Sequence, residues 1–274
     1  GVLECWSVGV LECWSVGVSF IQQSRKSTIQ QIFPAFREAA ITIPASESTS
    51  MRIFAAMWRE IIILLRKELM LEWKQKYAFN GLLLYVISMS VVIALVFKEE
   101  MNPSNWNLLL WLMLLFAAIN AVAKSFLAEK PAQLRYLYTL ARPEAIILAK
   151  FLYNAALLTL VASLSLMVFA FLGEQQFFDP WAYYGLVLLG AFALAANLTL
   201  VTAISAKAQN QSTLVAVLSF PLIVPLLLML VQLSDSALTG TGANQGEGFL
   251  SFLLALTGVL IGVSVILFPF LWRE

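Results

Sequence analysis

The chain has 274 residues, 61% hydrophobic and 12% charged, with a formal net charge of +1. Soluble domains are about half apolar and about a quarter charged, so a soluble fold of this composition would expose more apolar surface than water tolerates. The near-neutral balance and the lack of a basic, aromatic-studded face argue against nucleic acid as a partner, and the absence of histidine removes the commonest general base, metal ligand and axial haem ligand.

The first 50 residues are unlike the rest. GVLECWSV at 1–8 is repeated unchanged at 9–16, a period far below the roughly 20–50 residues of repeat folds. Its apolar content is interrupted by Glu4 and Glu12, too short a run to cross a bilayer. Cys5 and Cys13, the two cysteines, lie inside it and form no metal-type spacing. Residues 21–50 are rich in Ser, Gln and Thr, and segment 1–50 is expected to be a non-native or disordered extension, with Met51 a natural start.

From residue 51 the pattern changes. Ile53, Met57, Trp58, Ile61, Leu64, Leu65, Leu69 and Leu71 recur at helical spacing, interleaved with Arg52, Arg59, Arg66, Lys67, Lys74 and Lys76. Segment 51–79 therefore predicts an amphipathic helix lying in the membrane interface; the blander alternative is a juxtamembrane helix that only sets orientation.

Six stretches free of Asp, Glu, Lys and Arg follow in the permease-like region 80–274: 81–97, 106–123, 151–172, 181–206, 212–233 and 249–271. At about 1.5 Å per residue each covers roughly the 30 Å hydrocarbon core, the first barely. Helices are expected, because backbone groups in lipid must be satisfied within the segment. The fold class is thus an all-α integral membrane protein with six transmembrane helices, an N-terminal interfacial helix and a short cytoplasmic coupling helix. Trp106, Trp181 and Trp272 sit at predicted span ends, where an aromatic belt belongs. From residue 51 onward, thirteen lysines and arginines fall on one side of the predicted membrane and Lys98 alone on the other, which places both termini in the cytoplasm.

The inward loop 124–150, KSFLAEKPAQLRYLYTLARPEAIILAK, is the most informative segment. Ala132–Leu140 predicts a short helix, with Pro131 near its start and Pro143 beyond its end. Such a helix either docks on a soluble partner or lies passively in the interface. Within the spans, Asn120, Asn154, Asn197, Thr199, Thr202 and Ser205 read as interhelical hydrogen-bonding groups or as the lining of a path. Pro221 and Pro225 predict a bent or discontinuous fifth span, a gating element or a packing feature. Gly258 and Gly262 form a G-x-x-x-G helix-contact motif in the sixth. No Gly-Lys pair exists for a phosphate-binding loop, and no intraspan charge offers a proton relay, so no catalytic, cofactor or metal residue is assigned and the chain is not expected to be an enzyme.

Three stretches carry a family resemblance: LLRKELMLEWKQKYAFN (64–80), LRYLYTLARPEAIILAKFLYN (134–154) and LVAVLSFPLIVPLLLM (214–229). Across about residues 51–274 the chain resembles type-2 ABC exporter permeases and, more specifically, the haem exporter protein B family of the cytochrome c maturation system. Glu129-Lys130-Pro131 stands where that family often has an acidic-Gly step. The resemblance implies a multi-pass subunit of the bacterial inner membrane. Its partners would be a cytoplasmic ABC ATPase that carries the ATP, a haem-handling membrane subunit, a small membrane subunit and, indirectly, a periplasmic haem chaperone. Haem would be a transported or transiently contacted ligand and not a tightly bound cofactor. By position, Glu129, Gln133, Leu134, Leu137, Tyr138 and Arg142 would form the ATPase-docking segment. A generic exporter permease for a lipid, drug or polysaccharide, and a structural membrane scaffold, are the competing readings.

Overall fold

The computed structural model describes residues 49–74, 76–96, 102–127, 141–172, 178–205, 211–240 and 243–271. All regular structure among them is helical: α1 (Thr49–Lys74), α2 (Lys76–Val96), α3 (Pro103–Leu127), α4 (Pro143–Leu172), α5 (Pro180–Ser205), α6 (Gln211–Thr239) and α7 (Ala243–Leu271). The chain divides into two compact units, Gly1–Phe79 and Asn80–Glu274.

In the first unit, the described residues hold α1 and the opening of α2. Along α1, Ile61, Leu64 and Lys67 are buried, and Lys67 Nζ meets Glu68 Oε1 at 3.2 Å. The segment expected to form one helix over 51–79 is helical but divided, one helix ending at Lys74 and the next beginning at Lys76.

The second unit is a helical bundle. Among the described residues, five of its helices carry stretches long and apolar enough to cross a membrane: Pro103–Val122, Pro143–Phe171, Pro180–Ser205, Val217–Thr239 and Gly248–Leu267. Six were expected. The remaining predicted span corresponds to Asn80–Val96 of α2, an apolar segment at the lower limit of spanning length.

Helix starts follow local chemistry. Pro103, Pro143 and Pro180 each occupy a first helical position, where the missing N–H costs nothing and the fixed φ suits the helix. Asp179 caps α5, its Oδ1 accepting from the Trp181 and Ala182 amides at 3.1 and 3.0 Å. At the other end of α6, Gly240 has φ +73° and donates its amide to the Ser236 carbonyl at 3.0 Å, a left-handed stop that favours glycine. The start of α5 is then tied to the end of α6: Phe178 N donates to Leu238 O (3.2 Å) and Asp179 N to Ala237 O (3.3 Å).

α5 is central, packing against α3, α4, α6 and α7. Its lining explains why. Gly190, Ala191, Ala193, Ala195, Ala196 and Ala203 are buried small residues that let neighbouring backbones approach closely where the hydrophobic effect offers no drive. α2 joins this core through Leu82, Val86 and Ile93, with the Ser90 hydroxyl 3.5 Å from Met113 sulfur on α3.

Several boundaries differ from those predicted from charge-free runs. α4 begins at Pro143, eight residues before the expected span, so the end of the predicted loop is helix; Ala145, Ile146 and Ile147 are buried there. α4 therefore carries Glu144 and Lys150, and α6 reaches past Asp235, so charges do occur near the ends of these helices. Trp181 is exposed, as an interfacial belt residue should be. Trp106 is not. It is buried edge-on against Phe169 (centroids 5.2 Å) and beside Tyr183 (6.1 Å), because an indole can gain more from aromatic packing than from the interface. Segment 1–48 and Trp272 lie outside the described residues.

Candidate functional site

Among the described residues no group of His, Cys, Asp or Glu could hold a metal ion. The functional geometry is one of helix contacts, and two buried polar clusters stand out in it.

The first lies near the starts of α3 and α5 and the end of α6. Asn107, Trp111 and Ser234 are fully buried and Tyr183 nearly so. Asn107 Nδ2 donates to the Val231 carbonyl (3.0 Å), and its Oδ1 accepts from the Tyr183 hydroxyl (3.1 Å). Trp111 Nε1 donates to Ser234 Oγ at 2.7 Å. The Ser234 hydroxyl in turn lies 2.9 Å from Asn107 Oδ1 and 2.6 Å from the Leu230 carbonyl, which compete for its one proton. Four side chains from three helices thus satisfy one another, and a one-turn slip of any helix would break several bonds together.

Gly190 makes this arrangement fit. A Cβ at that position would lie 2.2 Å from Trp111 Cη2, 2.7 Å from Cζ3 and 2.9 Å from Leu230 Cδ2. The indole lies on the α5 backbone because glycine leaves the room, and from there its Nε1 reaches α6.

The second cluster lies between α4 and α5. Asn154 Nδ2 donates to Thr199 Oγ1 at 2.9 Å, a bridge of the kind expected from the sequence. Thr202 and Ser205 instead donate to carbonyls of their own helix, Leu198 (2.7 Å) and Val201 (2.9 Å), and Asn120 donates to Phe116 (2.9 Å). Asn197 is fully buried, and neither of its amide atoms has a hydrogen-bond partner; Asn154 Oδ1 also lacks one. Seven residues, nearly two whole turns, separate Tyr183 from Gly190 and Gly190 from Asn197, so all three share one face of α5. A small cavity between α4, α5 and α7, about 10 Å³, is lined by Phe151, Thr199, Ile261 and Ser264 among others; it has room for a water molecule at most.

Of the predicted site residues, Glu129, Gln133, Leu134, Leu137 and Tyr138 lie outside the described residues, as does the predicted helix Ala132–Leu140. Arg142 is exposed and immediately precedes α4, its carbonyl accepting from the Ile146 amide at 3.2 Å. Pro221 and Pro225 lie on the exposed side of α6, which is one unbroken helix through both, so it is not discontinuous. Among the described residues, nothing lies within 4 Å of where a Cβ on Gly258 or Gly262 would stand.

A helical bundle with several spans, its buried polar groups holding helices together, defines a polytopic membrane protein. The chain belongs to the CcmB protein family, the haem exporter protein B family, whose sequence model matches residues 59–272. No curated protein matches the chain. The family comprises membrane permease subunits, not themselves enzymes, of multi-subunit ABC transporters with an ATPase subunit, and serves haem transport in cytochrome c biogenesis. With its apolar helices, that makes this chain a multi-pass inner-membrane protein.

Proposed function

We propose that this subunit converts ATP hydrolysis on a separate cytoplasmic ATPase into haem export, or into release of a haem-loaded periplasmic chaperone. The family match over residues 59–272 carries this reading. α2 serves as a sixth span, 51–79 as the interfacial helix, and the thirteen-to-one distribution of cations puts both termini in the cytoplasm. The docking segment is Glu129–Arg142. It leads directly into α4, a 30-residue helix about 45 Å long, longer than the hydrocarbon core needs. α4 packs along α3, α5 and α7, so a push received at Arg142 travels as rigid-body motion into the bundle. The haem-handling and small membrane subunits complete the assembly, and haem is cargo or a passing ligand.

Replacing Leu134 and Leu137 together with aspartate tests the docking step. The ATPase subunit should no longer copurify, while the variant remains membrane-inserted at normal abundance. Undiminished copurification would remove the docking assignment.

A further inference from the structure

α1 has an outward face that its predicted interfacial role does not by itself explain. In an ordinary interfacial helix the cations stand opposite the apolar stripe. Here they stand in the middle of it. Trp58, Ile62 and Leu69 are 51%, 44% and 51% exposed and fall, at 100° per residue, within one narrow arc. Arg59 and Arg66, both exposed and seven residues apart, occupy the adjacent lane. Met70, 47% exposed, lies just beyond them. The buried side, Ile61, Leu64 and Lys67, is opposite, and the Glu68 carboxylate meets Lys67 there. Among the described residues no carboxylate shares the arginine lane.

An arginine lane flanked on both sides by large apolar residues has a specific complement. Guanidinium groups bind phosphate bidentately, and their aliphatic stems lie along apolar surface while the heads stay at headgroup depth. Indole prefers that same depth. A bilayer is within reach, because α1 ends at Lys74 and α2, which leads into the apolar bundle, begins at Lys76. We propose that this face of α1 binds anionic phospholipid headgroups. Arg59 and Arg66, about 10 Å apart along the axis, take the phosphates, and Trp58, Ile62, Leu69 and Met70 enter the acyl boundary. The proposal rests on the interfacial placement of segment 51–79 and adds to it a requirement for anionic lipid.

The test uses the full-length chain with Cys5→Ser and Cys13→Ser, carrying a nitroxide on Ile62→Cys, in nanodiscs of phosphatidylcholine alone or with phosphatidylglycerol admixed. Depth is read from the collision accessibility of the label to oxygen and to a water-soluble nickel complex. Anionic lipid should move the label from water into the interface. R59Q/R66Q should weaken that lipid-dependent immersion equilibrium by roughly 25-fold, about fivefold for each arginine near an anionic surface. R59K/R66K should fall between that double variant and the wild type, because the charge is kept but the bidentate phosphate contacts are lost. Equal immersion in both bilayers would overturn the proposal and leave the interfacial placement standing. A label in water in both would overturn the two together. Protection that arises only when the ATPase subunit is added would make the face a protein interface and would also overturn the proposal.

Discussion

Replacing Gly190 with alanine is expected to be the most damaging small change in the bundle. The new methyl would sit 2.2 Å from Trp111 Cη2 and 2.9 Å from Leu230 Cδ2, both on fully buried side chains. Neither can swing into solvent, so α5 must back away from α3 and α6 or the indole must leave its place. Overpacking of this kind costs about 1–3 kcal/mol, and stranding the buried Trp111 N–H and Ser234 hydroxyl costs roughly another 1–3. Thermal unfolding of the purified protein in detergent measures the loss. The partner of the clash identifies the mechanism: adding Trp111→Leu to Gly190→Ala should recover part of the lost stability, a coupling that independent sites would not show. A Gly190→Ala protein that melts at the wild-type temperature would contradict the packing described.

Asn107→Leu is the second. It removes at once the acceptor of the Tyr183 and Ser234 hydroxyls and the donor to the Val231 carbonyl, all buried. Interhelical hydrogen bonds in membranes average about 0.6 kcal/mol each, and Ser234 keeps the Leu230 carbonyl as an acceptor, so the loss is about 1–2 kcal/mol. Tyr183→Phe removes only one of them and should cost roughly a third to a half as much. The ordering of the two variants in the same unfolding assay is the prediction; equal effects would mean that Asn107 is not the hub of the cluster.

The membrane-spanning architecture can be read from the chain because a bilayer sorts residues harshly. Charge-free runs locate the cores of α3, α5, α6 and α7 within a few residues of their helices. The same rule misplaces the start of α4. Lys150 marks the edge of a span by charge, yet it is buried on a helix that Pro143 and Glu144 have already begun. Charge marks where lipid ends, whereas helix boundaries are set by caps and prolines.

The polar contacts are legible only in part. Asn154 and Thr199 are recognisable as bridging groups because they interrupt long apolar runs. The Asn107–Trp111–Tyr183–Ser234 cluster escapes a sequence reading, since Asn107 and Ser234 fall where predicted spans begin and end and polar residues attract no notice. Trp111 is the available signal: an indole well inside an apolar run needs a partner for its N–H. The role of Gly190 has no signal at all, because its requirement comes from a side chain 79 positions earlier in the chain. Which neighbour Gly258 and Gly262 face is equally invisible, since a G-x-x-x-G motif does not reveal it; among the described residues none lies within 4 Å of their Cβ positions.

The most direct test of the central claim is covalent haem attachment to c-type cytochromes in cells that lack this subunit but retain the ATPase and the other partners. The expected result is loss of haem-stained c-type cytochromes, restored by the wild-type chain and not by the Leu134→Asp, Leu137→Asp variant. Normal haem attachment without the subunit would contradict the assignment.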